Sequence, residues 1–410
     1  MLSQRKGPKA MKKVMILGAG RGQVGLYNAA KRLGYETIAV SIDGDWPGFA
    51  LADRIYYLNL YDTEGIAALA EEIGADGVVT ACLEIGLPAL GAACDRNHLP
   101  GISYETALIS TDKLLMKEAL MKGGVRTARF RRAAAEEDLE DIKKELDFPL
   151  ITKAVDLSGT RGIHIAFEEK DLLPCFRKTM EATGKDYCVI EEYLEGYECS
   201  ATSLIANGKV AFVLPTGDLR YGENDEVPIG HYLPYEDSED ILQQIEEEVT
   251  KAIYAIGLDN CAVNVDIMIC RGKAYILELT GRIGANAMPE LTSIYYGFDI
   301  HEMIVETAVG NFDMAENFAE RKIPRTACIG EMILSEKEGT IRCLSIDEPD
   351  PEHVEQVWMF VSEGSEIRKF TNPKDCIGQI VVKGDDLEQC RRIADETVAG
   401  IHIELEQERE

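Results

Sequence analysis

Residues 261–282 read "CAVNVDIMICRGKAYILELTGR", and this stretch does most to decide how the chain folds. Two apolar runs flank the dipeptide Arg271-Gly272, which predicts two antiparallel strands joined by a tight turn. Asp266 and Glu278 lie twelve residues apart across that turn. The two strands would therefore bring these carboxylates side by side.

Two carboxylates at short range in apolar surroundings repel each other unless a cation lies between them. Mg²⁺ is the natural candidate, because it takes a few carboxylates and completes its shell with phosphate oxygens. The alternative is a cross-strand pair whose ends are solvated. The hairpin by itself leaves both interpretations open.

The composition is that of a globular protein with several domains. A chain of 410 residues, 46% of them hydrophobic and 28% charged, predicts roughly two to four domains. The formal charge of −29 argues against a nucleic-acid partner, because that affinity depends on Lys and Arg displacing counterions from phosphates. No apolar run approaches the ~20 residues that a membrane helix needs, so we expect no membrane partner.

The eleven cysteines occur singly, many within apolar runs, and the sequence contains no C-x-x-C pair. This usage favours buried, reduced thiols in the cytoplasm over a disulfide framework or a zinc site. The six histidines show no metal-binding spacing. Residues 1–10 are basic and lack the apolar stretch of a signal peptide, so they read as an extension before a second start at Met11.

Residues 11–110 alternate short β-branched runs with helical patterns, which predicts a parallel sheet with helices on both faces. After the first strand, "LGAGRGQVG" places Gly20, Gly22 and Gly25 at the G-x-G-x-x-G spacing, and Asp43 ends the next strand. This pattern is typical of dinucleotide binding and would suit a nicotinamide or flavin enzyme. Any tightly packed strand-to-helix turn also favours glycine, so the spacing alone does not decide.

A second glycine-containing loop, "VDLSGTRG" at residues 155–162, lies between the strands "FPLITK" and "IHIAF". The backbone N–H groups of such a loop can bind phosphates, and Lys153 at the end of the first strand would add a positive charge. The alternative is a plain hairpin with an exposed lysine. The strand "IEEYL" at residues 190–194 favours the phosphate interpretation, because its backbone could meet an adenine.

The remaining patterns predict a mixed fold. "NGK" at residues 207–209 predicts a hairpin between two long strands, and a long helix is predicted to begin at Ser238 and to end at Gly257. From about residue 322 the sequence becomes rich in β patterns and then shows a final helix at 385–398. We therefore predict a multidomain protein that combines α/β and α+β architecture.

The order of these features resembles the ATP-grasp carboxylate–amine ligases, the superfamily of biotin carboxylase, carbamoyl phosphate synthase and the L-amino-acid ligases. The resemblance implies a Rossmann-like pre-ATP-grasp domain at 11–110, an ATP-grasp domain at 111–320 and a small β-rich, α+β C-terminal domain at 321–410. Within the ATP-grasp domain, the small lobe would span about 125–195 and the large lobe about 196–320.

The resemblance also implies how ATP is held. The segments "STDK", "LITKA" and "SGTRG" resemble the two nucleotide lysines and the mobile phosphate loop, and "VIEEYLEG" resembles the strand that pairs with adenine and holds the ribose. The implied ATP-binding set is Lys113, Lys153, Ser158, Gly159, Thr160, Gly162, Glu191, Glu192, Leu194 and Glu198.

For the metal and the chemistry, the resemblance implies Asp266 and Glu278 as metal ligands, with Thr280 where the family often has asparagine. Mg²⁺ is the expected ion and Mn²⁺ its alternative. Arg282 and Lys153 are the implied catalytic residues, with Arg282 steadying the transferring phosphoryl group. His231, within "GHYLP", and Glu290 are the candidates for substrate contacts.

The implied activity is an ADP-forming ligation in which ATP converts a small-molecule carboxylate into an acyl-phosphate that an amine then attacks. An amino-acid ligase would be one form of this activity. Two alternatives remain, namely a nucleotide-binding sensor or scaffold on the same fold, and an oxidoreductase that uses the N-terminal glycines. The expected partners are the carboxylate and amine substrates, and a homodimer is left open.

Overall fold

The computed structural model describes residues 11–157, 161–222 and 227–406. The N-terminal part is a four-stranded parallel sheet in the order β3-β2-β1-β4, flanked by helices. Its elements are β1 (Lys13–Leu17), α1 (Val24–Arg32), β2 (Glu36–Ser41), β3 (Arg54–Tyr57), α2 (Thr63–Ile73), β4 (Gly77–Val79), α3 (Leu87–Asn97) and α4 (Tyr104–Thr111). The predicted Rossmann-like architecture is confirmed.

A second, antiparallel sheet of four strands follows, in the order β5-β8-β6-β7. Two helices lie beside it, and a third leads into it. The elements are α5 (Lys113–Lys122), β5 (Phe130–Ala133), α6 (Leu139–Glu145), β6 (Leu150–Ala154), β7 (Ile163–Ala166), α7 (Glu169–Ala182) and β8 (Cys188–Glu192). We refer to this sheet and its helices as the small lobe.

The third sheet has eight strands in the order β13-β12-β9-β10-β11-β14-β18-β16. We refer to its first five strands in chain order, together with the helices between and after them, as the large lobe. The elements are β9 (Tyr197–Ala206), β10 (Lys209–Tyr221), β11 (Val227–Leu233), α8 (Glu239–Ile256), β12 (Cys261–Cys270), β13 (Lys273–Thr280), α9 (Met288–Tyr296), α10 (Ile300–Ala308) and α11 (Asp313–Glu316). The eight-stranded sheet is antiparallel throughout.

Local sequence explains the main elements of the large lobe. The β9–β10 hairpin turns at Asn207 and Gly208, both at positive φ, which is the conformation that Asn-Gly adopts readily. The side chain of Ser238 caps the first turn of α8, and Gly257 ends that helix in the left-handed conformation. The apolar face of α8 packs into the largest core, which it shares with β9, β12 and β13.

The C-terminal residues extend the sheet of the large lobe. The elements are β14 (Ala327–Ile333), β15 (Gly339–Ile346), β16 (Val354–Met359), β17 (Glu366–Ile367), β18 (Gly378–Gly384), α12 (Leu387–Ala399) and β19 (Ile401–Leu405). β14 pairs with β11, so the eight-stranded sheet is continuous across the predicted boundary at residue 321. A separate small sheet, β17-β15-β19, shares an apolar core with β14, β18 and α12. The division into three domains stays a prediction.

Short 3₁₀ turns occur at Arg21–Gln23, Pro47–Ala50, Glu136–Asp138, Phe318–Glu320 and Pro373–Asp375. Among the helices of the described residues, none combines the length and the apolar character needed to cross a membrane.

Candidate active site

The β12–β13 hairpin holds the acids that the sequence singled out. Asp266 lies directly opposite Glu278, and Asn264 lies directly opposite Thr280. Because alternate residues of a strand share a face, these four side chains lie on one face of the sheet. The predicted juxtaposition of the two carboxylates is therefore confirmed by the strand register.

Asp266 sits in an unusually acidic environment. Its side chain reaches solvent, yet the surrounding protein is dense enough to penalise its charge. This desolvation, followed by the negative charges of Glu278 and Asp218, raises the pKa of Asp266 to about 7, against a smaller opposing effect of Arg282. A bound cation would relieve the repulsion and favour the ionised carboxylate.

Lys113 connects the hairpin to the base of the predicted phosphate loop. As the first residue of α5, it donates from Nζ to Glu278 Oε1 at 3.0 Å and to the Leu157 carbonyl at 2.8 Å. Burial opposes its charge, but Glu278, together with Glu84 and Glu191, raises the pKa of Lys113 above its ordinary value. A protonated amine thus lies between Glu278 on β13 and the base of the predicted phosphate loop.

The donor set on this hairpin fits a magnesium ion. Asp266 and Glu278 supply carboxylates, and Thr280 Oγ1 is buried without a hydrogen-bond partner among the described residues. The Asn264 amide donates to Asp266 Oδ1 at 3.2 Å. Across the described ranges, no three His, Cys, Asp or Glu side chains are grouped to hold a metal. Water and phosphate oxygens would therefore complete the shell, as is usual for Mg²⁺.

Lys153 lies beside the strand predicted to pair with adenine. β6 runs antiparallel to β8 with Lys153 opposite Val189, and its Nζ lies 3.2 Å from Glu191 Oε2. Glu191 is almost fully buried, with 1% of its side chain exposed. Glu192 points to the opposite face of the strand, where Arg129 binds its carboxylate at 2.8 Å. Any contact of Glu192 with adenine would therefore come from its backbone.

The predicted phosphate loop is described only at its two ends. Ser158, Gly159 and Thr160 lie outside the described residues. Gly162 has a φ of +68°, and its carbonyl accepts a hydrogen bond from Ala154 N at 2.9 Å. This contact closes the base of the loop directly beside Lys153.

The predicted adenine and ribose positions follow β8. Leu194 is half-buried in the short connection to β9, and Glu198 near the start of β9 lies opposite Met268 on β12. Met268 is two residues from Asp266, so the predicted ribose acid lies beside the predicted metal acid. The Glu198 carboxylate is bound by Arg220.

Arg282 leaves the hairpin toward the N-terminal domain. Its Nη2 binds the Glu84 carboxylate, which lies between β4 and α3, and its Nη1 donates to the Ile283 carbonyl at 3.2 Å. Its Nε is buried and has no partner within the part of the chain that the structure describes. The guanidinium therefore keeps one N–H donor, at Nε, for which the described residues supply no acceptor.

The predicted substrate residues lie on two different elements. His231, on β11, contacts Asp218 Oδ1 with its Nδ1 at 2.9 Å, and Ser200 donates to the same oxygen at 3.0 Å. Glu290 lies in the first turn of α9, where its charge acts on Cys82 beside Arg282. Asp218 thus contacts His231 and also raises the pKa of the predicted metal ligand Asp266. The charges of both Glu290 and Arg282 act on Cys82.

Tyr295 and Tyr296 lie at the end of α9, the helix that also carries Glu290. Tyr296 is buried, with 6% of its surface exposed, and its ring packs against Phe212, Phe298 and Phe318. This residue is part of the apolar core rather than of a substrate pocket.

The N-terminal glycines have packing roles in this fold. A Cβ at Gly22 would lie 2.7 Å from the Cβ of Cys82, and a Cβ at Gly25 would lie 2.3 Å from the His301 ring. Both glycines let the start of α1 approach other parts of the chain closely. Packing therefore accounts for Gly22 and Gly25, two of the three glycines whose spacing suggested a dinucleotide site.

We predict that Gly25→Ala destabilises the protein by about 1–3 kcal/mol, because the added methyl group would overlap the His301 ring. Thermal unfolding would measure the loss. Gly20→Ala is the matched control, since its nearest atom is Gln23 Oε1 at 3.3 Å and its φ is −71°. Equal melting temperatures for the two variants would contradict the packing role. An increase of the wild-type melting temperature with NADH or NADPH would instead revive the dinucleotide interpretation.

Four residues of the site were not singled out in the sequence. The sequence could have pointed to Lys117, because it follows Lys113 by four residues and so lies on the same face of a helix. Asn264 precedes Asp266 by two residues on the same strand face. Glu84 and Asp218 had no comparable signal, because only the packing of separate elements brings them to the hairpin.

Comparisons with known proteins agree with this architecture. The family profile described as "Phosphoribosylglycinamide synthetase, ATP-grasp (A) domain" matches residues 111–313, and the profile "L-amino acid ligase C-terminal domain 2" matches residues 331–406. The crystal structure of phosphoribosylglycinamide synthetase from Anaerococcus prevotii is 38% identical, with a TM-score of 0.85, over 96% of this chain and 100% of that chain.

Two further relatives are more distant. The formate-dependent phosphoribosylglycinamide formyltransferase of Wolinella succinogenes is 24% identical over 294 residues, which are 70% of this chain and 75% of that protein. The L-amino acid ligase from Bacillus licheniformis is 21% identical with a TM-score of 0.80, over 97% of this chain and 100% of that chain. The latter likeness concerns the fold.

The chain belongs to the ATP-grasp superfamily, among its ATP-dependent carboxylate–amine ligases. ATP and Mg²⁺ are the general ligands of this fold. The oxidoreductase alternative rested on Gly20, Gly22, Gly25 and Asp43. Packing accounts for Gly22 and Gly25, and the relatives are ATP-dependent ligases.

Proposed function

We propose that the protein activates a small-molecule carboxylate as an acyl-phosphate at the expense of ATP and joins it to an amine, with release of ADP and phosphate. The observation that carries this proposal is the position of Lys113. Its Nζ contacts Glu278 and the Leu157 carbonyl together, at 3.0 and 2.8 Å. Lys113 therefore joins the carboxylate proposed to hold metal to the base of the loop proposed to bind phosphate, and this supports its own proposed role toward the nucleotide.

The reaction would need positioning and charge neutralisation rather than a covalent intermediate with the enzyme. Lys113 and Lys153 would hold the phosphates that do not react. The substrate carboxylate would attack the γ-phosphorus, with ADP as the leaving group, and Arg282 would face the charge that develops on the transferring group. The amine would then attack the acyl carbon and expel phosphate.

Asp266 and Glu278 are the residues that would hold Mg²⁺, with Thr280 as a further ligand. When bound, the ion would neutralise charge on the β- and γ-phosphates. The loop at residues 158–162 would close over the phosphates, because an acyl-phosphate must be kept from water.

An amino acid is our candidate for one of the two substrates. The support is the match of residues 331–406 to an L-amino acid ligase domain, and the likeness over most of the chain to a phosphoribosylglycinamide synthetase. His231 and Glu290 are the proposed substrate contacts. The eleven cysteines are free throughout the described ranges, which supports a reducing compartment such as the cytoplasm.

Hydroxylamine trapping tests the acid half of the reaction without knowledge of the amine. The protein is incubated with MgATP, hydroxylamine and pools of carboxylates, one pool holding amino acids and the others lacking them. We expect hydroxamate and ADP in equal amounts with the correct pool, because hydroxylamine captures the acyl-phosphate. Parallel reactions with Mn²⁺ test whether that ion can replace Mg²⁺.

The control reaction omits the carboxylate and gives the rate of ATP hydrolysis alone. Hydroxamate from a pool without amino acids would retain the ligase and overturn the amino-acid assignment. MgATP binding without hydroxamate from any pool would instead favour the nucleotide sensor.

A further inference from the structure

A second lysine on α5 is buried beside the nucleotide site. Lys117 follows Lys113 by one helical turn, and 1% of its side chain is exposed. Its Nζ donates to Thr127 Oγ1 at 2.6 Å and lies 2.9 Å from Glu191 Oε2. A lysine so deeply buried is rare unless its charge is paired, and the roles proposed above leave this one unused.

The two lysines of α5 contact different lobes. Residues four apart on a helix lie on the same face, yet Lys113 binds Glu278 on β13 of the large lobe while Lys117 binds Glu191 on β8 of the small lobe. Thr127, the other partner of Lys117, donates its hydroxyl to the Ile276 carbonyl on β13 at 2.7 Å. Lys117 therefore contacts the small-lobe sheet directly, through Glu191, and the large-lobe sheet only through Thr127.

The carboxylate of Glu191 is shared between two cations. Lys117 Nζ lies 2.9 Å and Lys153 Nζ 3.2 Å from the same oxygen, Oε2. The other oxygen, Oε1, is buried and has no partner within the described ranges. One carboxylate oxygen therefore lies within ion-pair distance of two lysine amines.

The electrostatics agree with an ionised Glu191. Burial would raise its pKa, but Lys117 and Lys153 together lower the pKa of Glu191 below its ordinary value. Burial also lowers the pKa of Lys117, and Glu191 is the strongest influence in the other direction. If Lys117 were absent, Lys153 would be the only cation among the described residues in contact with this buried carboxylate.

We propose that Lys117 is a positioning residue for ATP: it holds the Glu191 carboxylate and shares its charge, so that Lys153 stays available to the phosphates. The inference rests on the proposed function insofar as Lys153 serves a bound nucleotide. Lys117 itself would not touch the nucleotide. Its effect would reach the phosphates only through Glu191 and Lys153.

The test is a double-mutant cycle on MgATP binding, measured by isothermal titration calorimetry with adenosine as a second ligand. Lys117→Met keeps the unbranched side chain and removes its charge. We expect it to weaken MgATP binding about tenfold or more, with adenosine affected much less, because the loss concerns Lys153 at the phosphates. Lys117→Met combined with Glu191→Gln should bind MgATP within about twofold of Glu191→Gln alone, because a neutral amide cannot capture Lys153.

Lys122→Met, an exposed position near the end of the same helix, is the matched control and should bind MgATP as the wild type does. Equal losses for MgATP and adenosine, or additive losses in the double variant, would overturn the inference and leave Lys117 a packing residue. If Lys117→Met does not fold, the comparison of the double variant with Glu191→Gln remains decisive, and a tenfold difference between them would refute the inference. Absence of MgATP binding by the wild type would refute the proposed function itself.

Discussion

Replacing Arg282 by alanine is expected to lower turnover at least ~10²-fold, the size of effect seen when one donor to a developing oxyanion is removed. Arg282 follows the end of β13 by two residues, and its Nε is buried without a partner among the described residues. Such a donor is costly to leave unpaired, which fits a role toward a bound phosphoryl group. The measurement is the rate of hydroxamate and ADP formation at saturating MgATP.

Two controls separate this role from simple damage. Glu84→Gln removes the charge that holds Arg282 but leaves the guanidinium in place, so we expect a much smaller loss of turnover. Arg177→Ala breaks an exposed pair with Glu136 on the small lobe and should leave turnover unchanged. A folded Arg282→Ala protein with wild-type turnover would exclude Arg282 from the chemistry.

Asp266→Asn is expected to have opposite effects on binding and on stability. Loss of a carboxylate proposed to hold the metal should weaken Mg²⁺-dependent ATP binding at least ~100-fold. Even mutation of a residue that only hydrogen-bonds a metal ligand lowers metal affinity about 10–100-fold. In the absence of nucleotide and metal, the same variant should be more stable than the wild type at pH 8. The expected gain in the free energy of unfolding is roughly 1 kcal/mol. It is small because the Asp266 side chain reaches solvent, where its charge is partly screened.

The pH dependence follows from the raised pKa. The carboxyl has an ordinary pKa of 3.8 and a pKa of about 7 in the folded protein, so folding favours its protonated form. The nucleotide-free wild type should therefore lose stability relative to Asp266→Asn as the pH rises from about 4 to about 7, with no further change above that. Thermal unfolding at pH 5 and pH 8, with and without MgATP, measures both effects. A constant difference between the proteins across this range would contradict the raised pKa.

Much of the fold could be predicted from local patterns. The Asn207-Gly208 turn, the caps of α8 at Ser238 and Gly257, and the pairing of Asp266 with Glu278 each depend on a few neighbouring residues. The N-terminal glycines show the limit of such patterns. Their spacing is the same whether a pyrophosphate or a His301 ring approaches the backbone, and only the packing of α1 against α10 distinguishes the two.

The sequence by itself determined which residues carry charge in the site and which strands present them, because hairpin register and helix caps depend on residues close together in the chain. Only the tertiary structure decided which of these charged side chains contact one another. Lys117, Glu191 and Lys153 come from a helix and two strands, and Arg282 meets Glu84 of another domain across 198 positions of sequence. Such contacts depend on how separate elements pack, and no local pattern records them.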